Sequence, residues 1–194
     1  MKLLRPVQKP YRFIQWFWAN PQMYKKYWRK GHSWLDYAWP KAWIPQGVFC
    51  SQKGMVSFIW EDKNRWKYVI VRHTDDWLFH ETIYAHLSTI ECLLWQYLLA
   101  WDKIGMSGAT GNVQWVHLHF WLRPINYNKN NGYEWWIDPA PYIVDSLVDF
   151  DYGKEIETAR KYLVDNGIYD WKWSISEDRL IIMLSRILLK QHIR

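Results

Sequence analysis

Between Val116 and Leu122 the chain reads VHLHFWL, an unbroken alternation. Successive side chains of a strand point to opposite faces. Val116, Leu118, Phe120 and Leu122 therefore share one face, and His117, His119 and Trp121 share the other. A chain built around this segment needs a core under one side of a sheet and carries imidazoles on the other side. GMVSFIW, KYVIVRH and ETIYAHL repeat the period-two pattern with β-branched and aromatic content. Turn signals such as Asp62-Lys63-Asn64 and Asp75-Asp76 separate them. The expected fold is mainly β, an antiparallel sheet. GMSGATGN, at 105–112, suits a tight loop feeding the histidine strand. Residues 1–53 read as irregular, and residues 124–145 as a long polar loop that closes the domain.

The pattern changes after residue 145. EIETARKYLVDNG reads as a helix ending before Gly167. Ser176 is placed to cap a second helix, in which Leu180, Met183, Leu184, Ile187 and Leu188 follow the i, i+3, i+4, i+7, i+8 spacing. Two domains are expected: residues 1–145, strand-rich with an irregular N-terminal segment, and residues 146–194, a small α-helical unit. That unit is either a hairpin packed on the sheet or a separate module.

Composition excludes several classes. With 49% hydrophobic and 23% charged residues the chain is not wholly disordered. No apolar run approaches the length of a membrane-spanning helix, so no membrane span is expected. Arg5, Pro6, Lys9 and Arg12 interrupt the apolar residues at the N-terminus, which does not read as a secretory signal peptide. Synthesis in the cytoplasm is expected. Cys50 and Cys92 have no metal-binding spacing and read as free thiols. The net charge of +6 is uneven: residues 1–35 hold eight Lys or Arg and no acid, while residues 146–194 hold eight of each sign. Such a surface favours an anionic partner. Nucleic acid, anionic lipid and an anionic cell wall all qualify, as does a basic surface with no specific partner.

The chemistry rests on histidine. His32 and Asp36 are four apart in HSWLD, and His117 and His119 form HLH. Two His and one carboxylate make a ligand set for catalytic zinc, with the fourth position left to water. Neutral imidazole suits zinc better than calcium or magnesium. Solvent-facing histidines on an edge strand would give the same pattern, and spacing alone leaves both readings open. No HExxH occurs, so no helix-borne Glu base of that kind is present. His73 reads as a strand or surface residue, and His80 and His192 as surface residues.

Three ordered segments carry a resemblance. GHSWLDYAWP, YAHLSTI and GMSGATGNVQWVHLHFWLR resemble the GHxGxDY-like, YxHL and GxTGxSTGPHLHF-like segments of the lysostaphin/LytM zinc metallopeptidases. The likeness covers roughly residues 10–143. It implies an antiparallel β-sheet with its site in an open groove. It implies a bound Zn2+ held by His32, Asp36 and His119, with His86 and His117 as active-site residues beside the metal. It implies an endopeptidase that cuts peptidoglycan stems or cross-bridges, a cell-wall lysin of bacterial or phage type. The partner is then peptidoglycan and not nucleic acid, the chain a monomer, and the place of action the bacterial cell wall. The alternative is a non-catalytic LytM-like module that binds or regulates. All five site residues are present, which favours the enzyme. ARKYLVDNGIYDWKWSISEDRLIIMLSRIL is in turn similar to a single S-layer-homology-like unit, a type that binds wall polymers.

The departures from the family follow one rule. The chain has 17 Trp and only 9 Gly, where ordinary usage gives about 14 Gly. Trp34, Trp43, Trp101 and Trp115 stand where the family has Gly, and Trp121 stands where small residues are common. Trp16, Trp18, Trp66, Trp95, Trp171 and Trp173 fit the same trend, whereas Trp136 reads as an ordinary Trp. Gly serves at such places because the backbone needs positive φ or close approach. The expectation is a UGA codon translated as Trp where the source reads it as Gly. The alternative is a protein truly rich in Trp, for carbohydrate or membrane contact.

Overall fold

The computed structural model describes residues 1–144 other than 42, 62–65, 76, 77 and 127. The helices and wall-binding unit expected in residues 146–194, with Trp171, Trp173 and His192, lie outside the described residues. So do the turn at Asp62-Lys63-Asn64 and Asp76.

Twelve strands are described: β1 Leu3–Leu4, β2 Arg12–Gln15, β3 Leu35–Ala38, β4 Gly47–Phe49, β5 Gly54–Glu61, β6 Lys67–Asp75, β7 Leu78–Ala85, β8 Leu87–Ile90, β9 Tyr97–Leu98, β10 Lys103–Ser107, β11 Leu118–Pro124 and β12 Ile143–Val144. Seven of them make one sheet in the order β2-β3-β11-β7-β6-β5-β9, with every neighbouring pair antiparallel. A second sheet runs β4-β10-β8, and β1 pairs with β12 in parallel. The expected antiparallel β architecture is what forms.

Alternation places the core. Leu118, Phe120 and Leu122 of β11 are fully buried, as are Val69 and Val71 of β6 and Tyr84 of β7. They join Val48, Leu87 and Ile104 from the three-stranded sheet in one cluster. The core therefore draws on one face of each sheet. The opposite face of the large sheet carries His119, Trp121, Ile83 and Ala85, with Trp34 and Trp136 packed on the last three.

Four expectations need correction. Residues 1–53 are not wholly irregular, because β1 to β4 and a one-turn helix, Pro21–Tyr24, lie within them. The glycine stretch is half strand: Gly105 to Ser107 belong to β10. There Gly lets the backbone of β8 approach, since a Cβ on Gly105 would meet the Thr89 carbonyl oxygen at 2.1 Å. The histidine strand begins at Leu118, and His117 makes only an isolated bridge to Gly108. His80 is not on the surface: His73 and His80 are both fully buried, their rings 4.9 Å apart. Alternation puts both on the core face of the sheet. There His73 Nδ1 donates to the Lys53 carbonyl (2.9 Å) and Nε2 lies 2.6 Å from the Thr82 hydroxyl. That hydroxyl lies 2.9 Å from the hydroxyl of Tyr84, which accepts from the Ser51 amide. A polar pair survives in the core because each ring nitrogen of His73 has a partner.

Candidate metal centre and groove

Strand register brings the first two site residues together. In the β3–β11 pairing, Asp36 sits directly across from His119. Leu35 and Tyr37 flank Asp36 in β3 and enter the core, which turns the carboxylate to the histidine face. His119 Nδ1 lies 3.1 Å from Asp36 Oδ1, and His32 Nε2 lies 3.3 Å from Asp36 Oδ2. His117 Nε2 is 3.9 Å from Asp36 Oδ1. On the other side β11 pairs with β7, whose last residue, Ala85, faces His119. His86 follows, with φ 61, and this left-handed residue separates β7 from β8. Its ring comes to 4.8 Å from His117 and 5.0 Å from His119. All five residues singled out from the sequence converge on one place.

Main-chain carbonyls orient three of the rings. His32 Nδ1 donates to the Trp16 carbonyl at 3.0 Å, His86 Nδ1 to that of Thr110 at 2.6 Å, and His117 Nδ1 to that of Trp115 at 2.8 Å. A carbonyl only accepts, so each Nδ1 carries the proton and each Nε2 keeps a lone pair. Sequence reasoning missed these anchors because any residue type offers a carbonyl. Thr110 had one available signal, its place in the Gly-flanked GATGN turn. Its hydroxyl donates to the Leu87 carbonyl (2.9 Å) and pins the loop that holds His86.

Electrostatics divides the charge cleanly. Burial pushes the Asp36 carboxyl up, but the imidazoles of His119 and His32 on its oxygens outweigh that and hold it well below the usual carboxylate range. Burial lowers His119 to about 3 against the pull of Asp36. Burial and the neighbouring His117 lower His86 to about 4. The centre thus sets an anion beside the neutral rings of His86 and His119, a donor set suited to a divalent transition metal.

Two overlapping groups of donors share His119. Nitrogens of His86, His117 and His119 all lie within 4.8 Å of one another. The second group is His32, Asp36 and His119, and each of the three carries an unsatisfied atom. His32 Nε2, Asp36 Oδ1 and His119 Nε2 are buried and make no hydrogen bond. Buried polar atoms are nearly always paired, so an unpaired atom on each of these three neighbouring residues fits a cation held among them. The separations of 3.1 and 3.3 Å at Asp36 match the edge of about 3.3 Å in a tetrahedron of zinc bonds.

The centre opens on a groove of about 1000 Å³. Ile14, Gln15, Met23 and Tyr24 line one part of it, Gly111 to Trp115 another, and Trp34, Trp66 and Trp121 the aromatic remainder. The Trp34 ring lies 4.0 Å from that of His119.

Comparison with known proteins follows this geometry. The model of peptidase family M23 matches residues 31–132, just over half of the chain. The peptidoglycan DD-endopeptidase ShyA of Vibrio cholerae is 34% identical over 104 residues, which are 52% of this chain and 23% of that protein. The chain thus spans about a quarter of that relative's length. A zinc containing peptidase from Vibrio cholerae shares the fold, with TM-score 0.52 and 23% identity over 71% of this chain and 39% of the other. Lysostaphin from Staphylococcus simulans does so with TM-score 0.53 and 21% identity over 74% of this chain and 52% of the other.

Proposed function

The chain belongs to peptidase family M23, and from that premise we propose that it is a zinc-dependent endopeptidase acting on peptide bonds of peptidoglycan in the bacterial cell wall. His32, Asp36 and His119 hold the metal, and His86 and His117 act beside it. The observation that carries this reading is the set of three unpaired buried atoms, one on each proposed ligand. The peptidoglycan endopeptidase among its relatives supports the substrate class.

When bound there, a zinc ion supplies Lewis acidity and a water of lowered pKa. The protein's own residues do the rest. Asp36 brings a negative charge that offsets part of the cation's. His86 and His117, each with Nδ1 tied to a carbonyl, keep Nε2 for proton traffic. In neutral form either Nε2 takes the proton of the attacking water, and once protonated it donates to the developing oxyanion or to the leaving amine. The groove gives an extended peptide a place to lie across both rings.

The test is metal analysis of the purified protein together with release of soluble muropeptides from isolated cell walls. About one zinc per chain and release that His119→Ala abolishes are expected. A non-catalytic wall-binding module is the second reading, and Trp34 covering His119 favours it. Wall binding without release, at full zinc occupancy, would establish that reading instead.

A further inference from the structure

We infer that the natural polypeptide carries Gly, not Trp, at positions 18, 28, 95, 101 and 135, and that the glycine at 18 is a positioning residue for His32. The ground for the glycines is backbone conformation and does not depend on the peptidase reading, while the positioning role rests on His32 being the metal ligand proposed above. Among the described residues eight non-Gly positions have φ in the left-handed region, and five of them are Trp: Trp18 (62°), Trp28 (61°), Trp95 (66°), Trp101 (75°) and Trp135 (72°). Only a few per cent of non-Gly residues adopt such a φ, and for a bulky residue it is an outlier. The other three are Asn20, His86 and Glu134. Asn and His visit this region readily, and His86 sits in the metal centre. Only two of the described glycines, Gly111 and Gly132, are left-handed. Trp thus does more of the work normally done by Gly than Gly itself does.

The local main chain fixes these conformations whatever the side chain. Trp28 ends the 3₁₀ turn Lys25–Tyr27 in the left-handed state, its N–H on the Lys25 carbonyl, which is the usual place for a terminating Gly. The amide of Trp95 donates to Val56, and that of Trp101 to Cys50. The Trp18 amide donates to the His32 carbonyl at 2.7 Å, and the His32 amide donates to Ala19 at 2.9 Å. With His32 Nδ1 on the Trp16 carbonyl, the left-handed turn at 18 is what sets the imidazole. The chain opposite is equally tight, since a Cβ on Gly31 would meet the Trp18 carbonyl oxygen at 2.5 Å.

Three of the five rings contribute little that would offset the strain, whereas Trp101 stacks on Phe49 and Trp135 is half-buried. Trp28 is 95% exposed, Trp18 59% and Trp95 54%. Trp136 behaves differently: its φ is not left-handed and it stacks on the buried Trp121 at 5.2 Å. One residue type standing in for another along a whole chain is a property of decoding. A single codon, UGA, read as Trp in the written sequence and as Gly in the source accounts for it.

The adjacent pair at 135 and 136 makes the test internal. Trypsin releases both in one peptide, Asn130 to Lys154. Mass spectrometry of the protein isolated from its source is expected to read Gly at 135 and Trp at 136, with UGA and UGG as their codons. The peptide Phe13 to Lys25 is expected to read Gly at 18. Trp at 135 and 18 in the isolated protein, or UGG codons at the five positions, would overturn the inference. The positioning role is read separately, on synthetic full-length chains with Gly or Trp at 18. Zinc affinity should be at least tenfold higher with Gly, while Gly at the exposed Trp60 leaves it unchanged. Equal affinity at position 18 would remove the positioning role.

Discussion

At the scale of single residues the proposal divides the centre into groups that would hold the metal and groups that would move protons. Among the described residues Asp36 is the carboxylate that faces the imidazoles of His32, His117 and His119. Asp36→Asn should therefore release zinc, as should His119→Ala, with metal content measured after dialysis. His86→Ala and His117→Ala should keep zinc and slow hydrolysis by about 10²–10⁴-fold, and lost zinc in either would make that residue a ligand. The buried His73 gives a pH prediction away from the metal. Burial and the adjacent His80 lower its pKa to about 3 in the folded chain, against about 6.5 when unfolded. Above 6.5 neither state is charged there. Below it the unfolded chain binds a proton that the folded chain refuses, so stability falls as pH drops from 6.5 toward 3. Urea midpoints of the metal-free protein should fall over that range, and those of His73→Asn should fall less steeply. Motif order in the sequence singled out the five residues of the proposed site. His80, which lies off that motif pattern, read as a surface residue; only the partner strand, which sets His80 across from His73, shows otherwise.

At the scale of elements the site is a consequence of register. Asp36 meets His119 because β3 and β11 pair in antiparallel fashion with those residues opposed, and a slip of one residue would send each side chain to the wrong face. The alternation in VHLHFWL made the strand and its two faces legible in advance. The strand's start at Leu118 was not legible, because Val116 and His117 fit the same period while their backbone groups lack a ladder partner beyond Gly108. The break at His86 was hidden for a similar reason: ETIYAHL alternates straight through a residue whose φ is 61°. Hydrophobic pattern reports faces, whereas strand ends depend on hydrogen bonds made to distant segments. β10 shows how narrow those approaches are. Gly105→Ala would press a methyl group onto the backbone of Thr89, which has no rotamer to move. A loss of about 1–3 kcal/mol is expected, measured by chemical denaturation. Because Thr110 beyond the same loop holds His86, activity should fall more than zinc content does.

At the scale of the whole molecule, chemistry and wall attachment are assigned to different parts of the chain. Every residue of the proposed centre lies between His32 and His119, and Met1–Val144 is one compact unit. The basic surplus also belongs to the first 145 residues, since the segment 146–194 is balanced in charge. Two sources of wall affinity are therefore proposed, and experiment can separate them: an electrostatic one in the first unit and a specific one in the tail. A chain shortened to end at Val144 keeps Ile143 and Val144, which pair with Leu3 and Leu4. It should bind zinc and cut a short soluble peptide at the rate of the full chain. On sedimented walls less of it should be retained, and the remainder should come off as salt is raised, because screening weakens contacts between exposed charges. The full chain should hold on at salt concentrations that strip the shortened one. Equal retention of both at every salt concentration would assign wall affinity to the basic unit alone and leave the tail without an anchoring role.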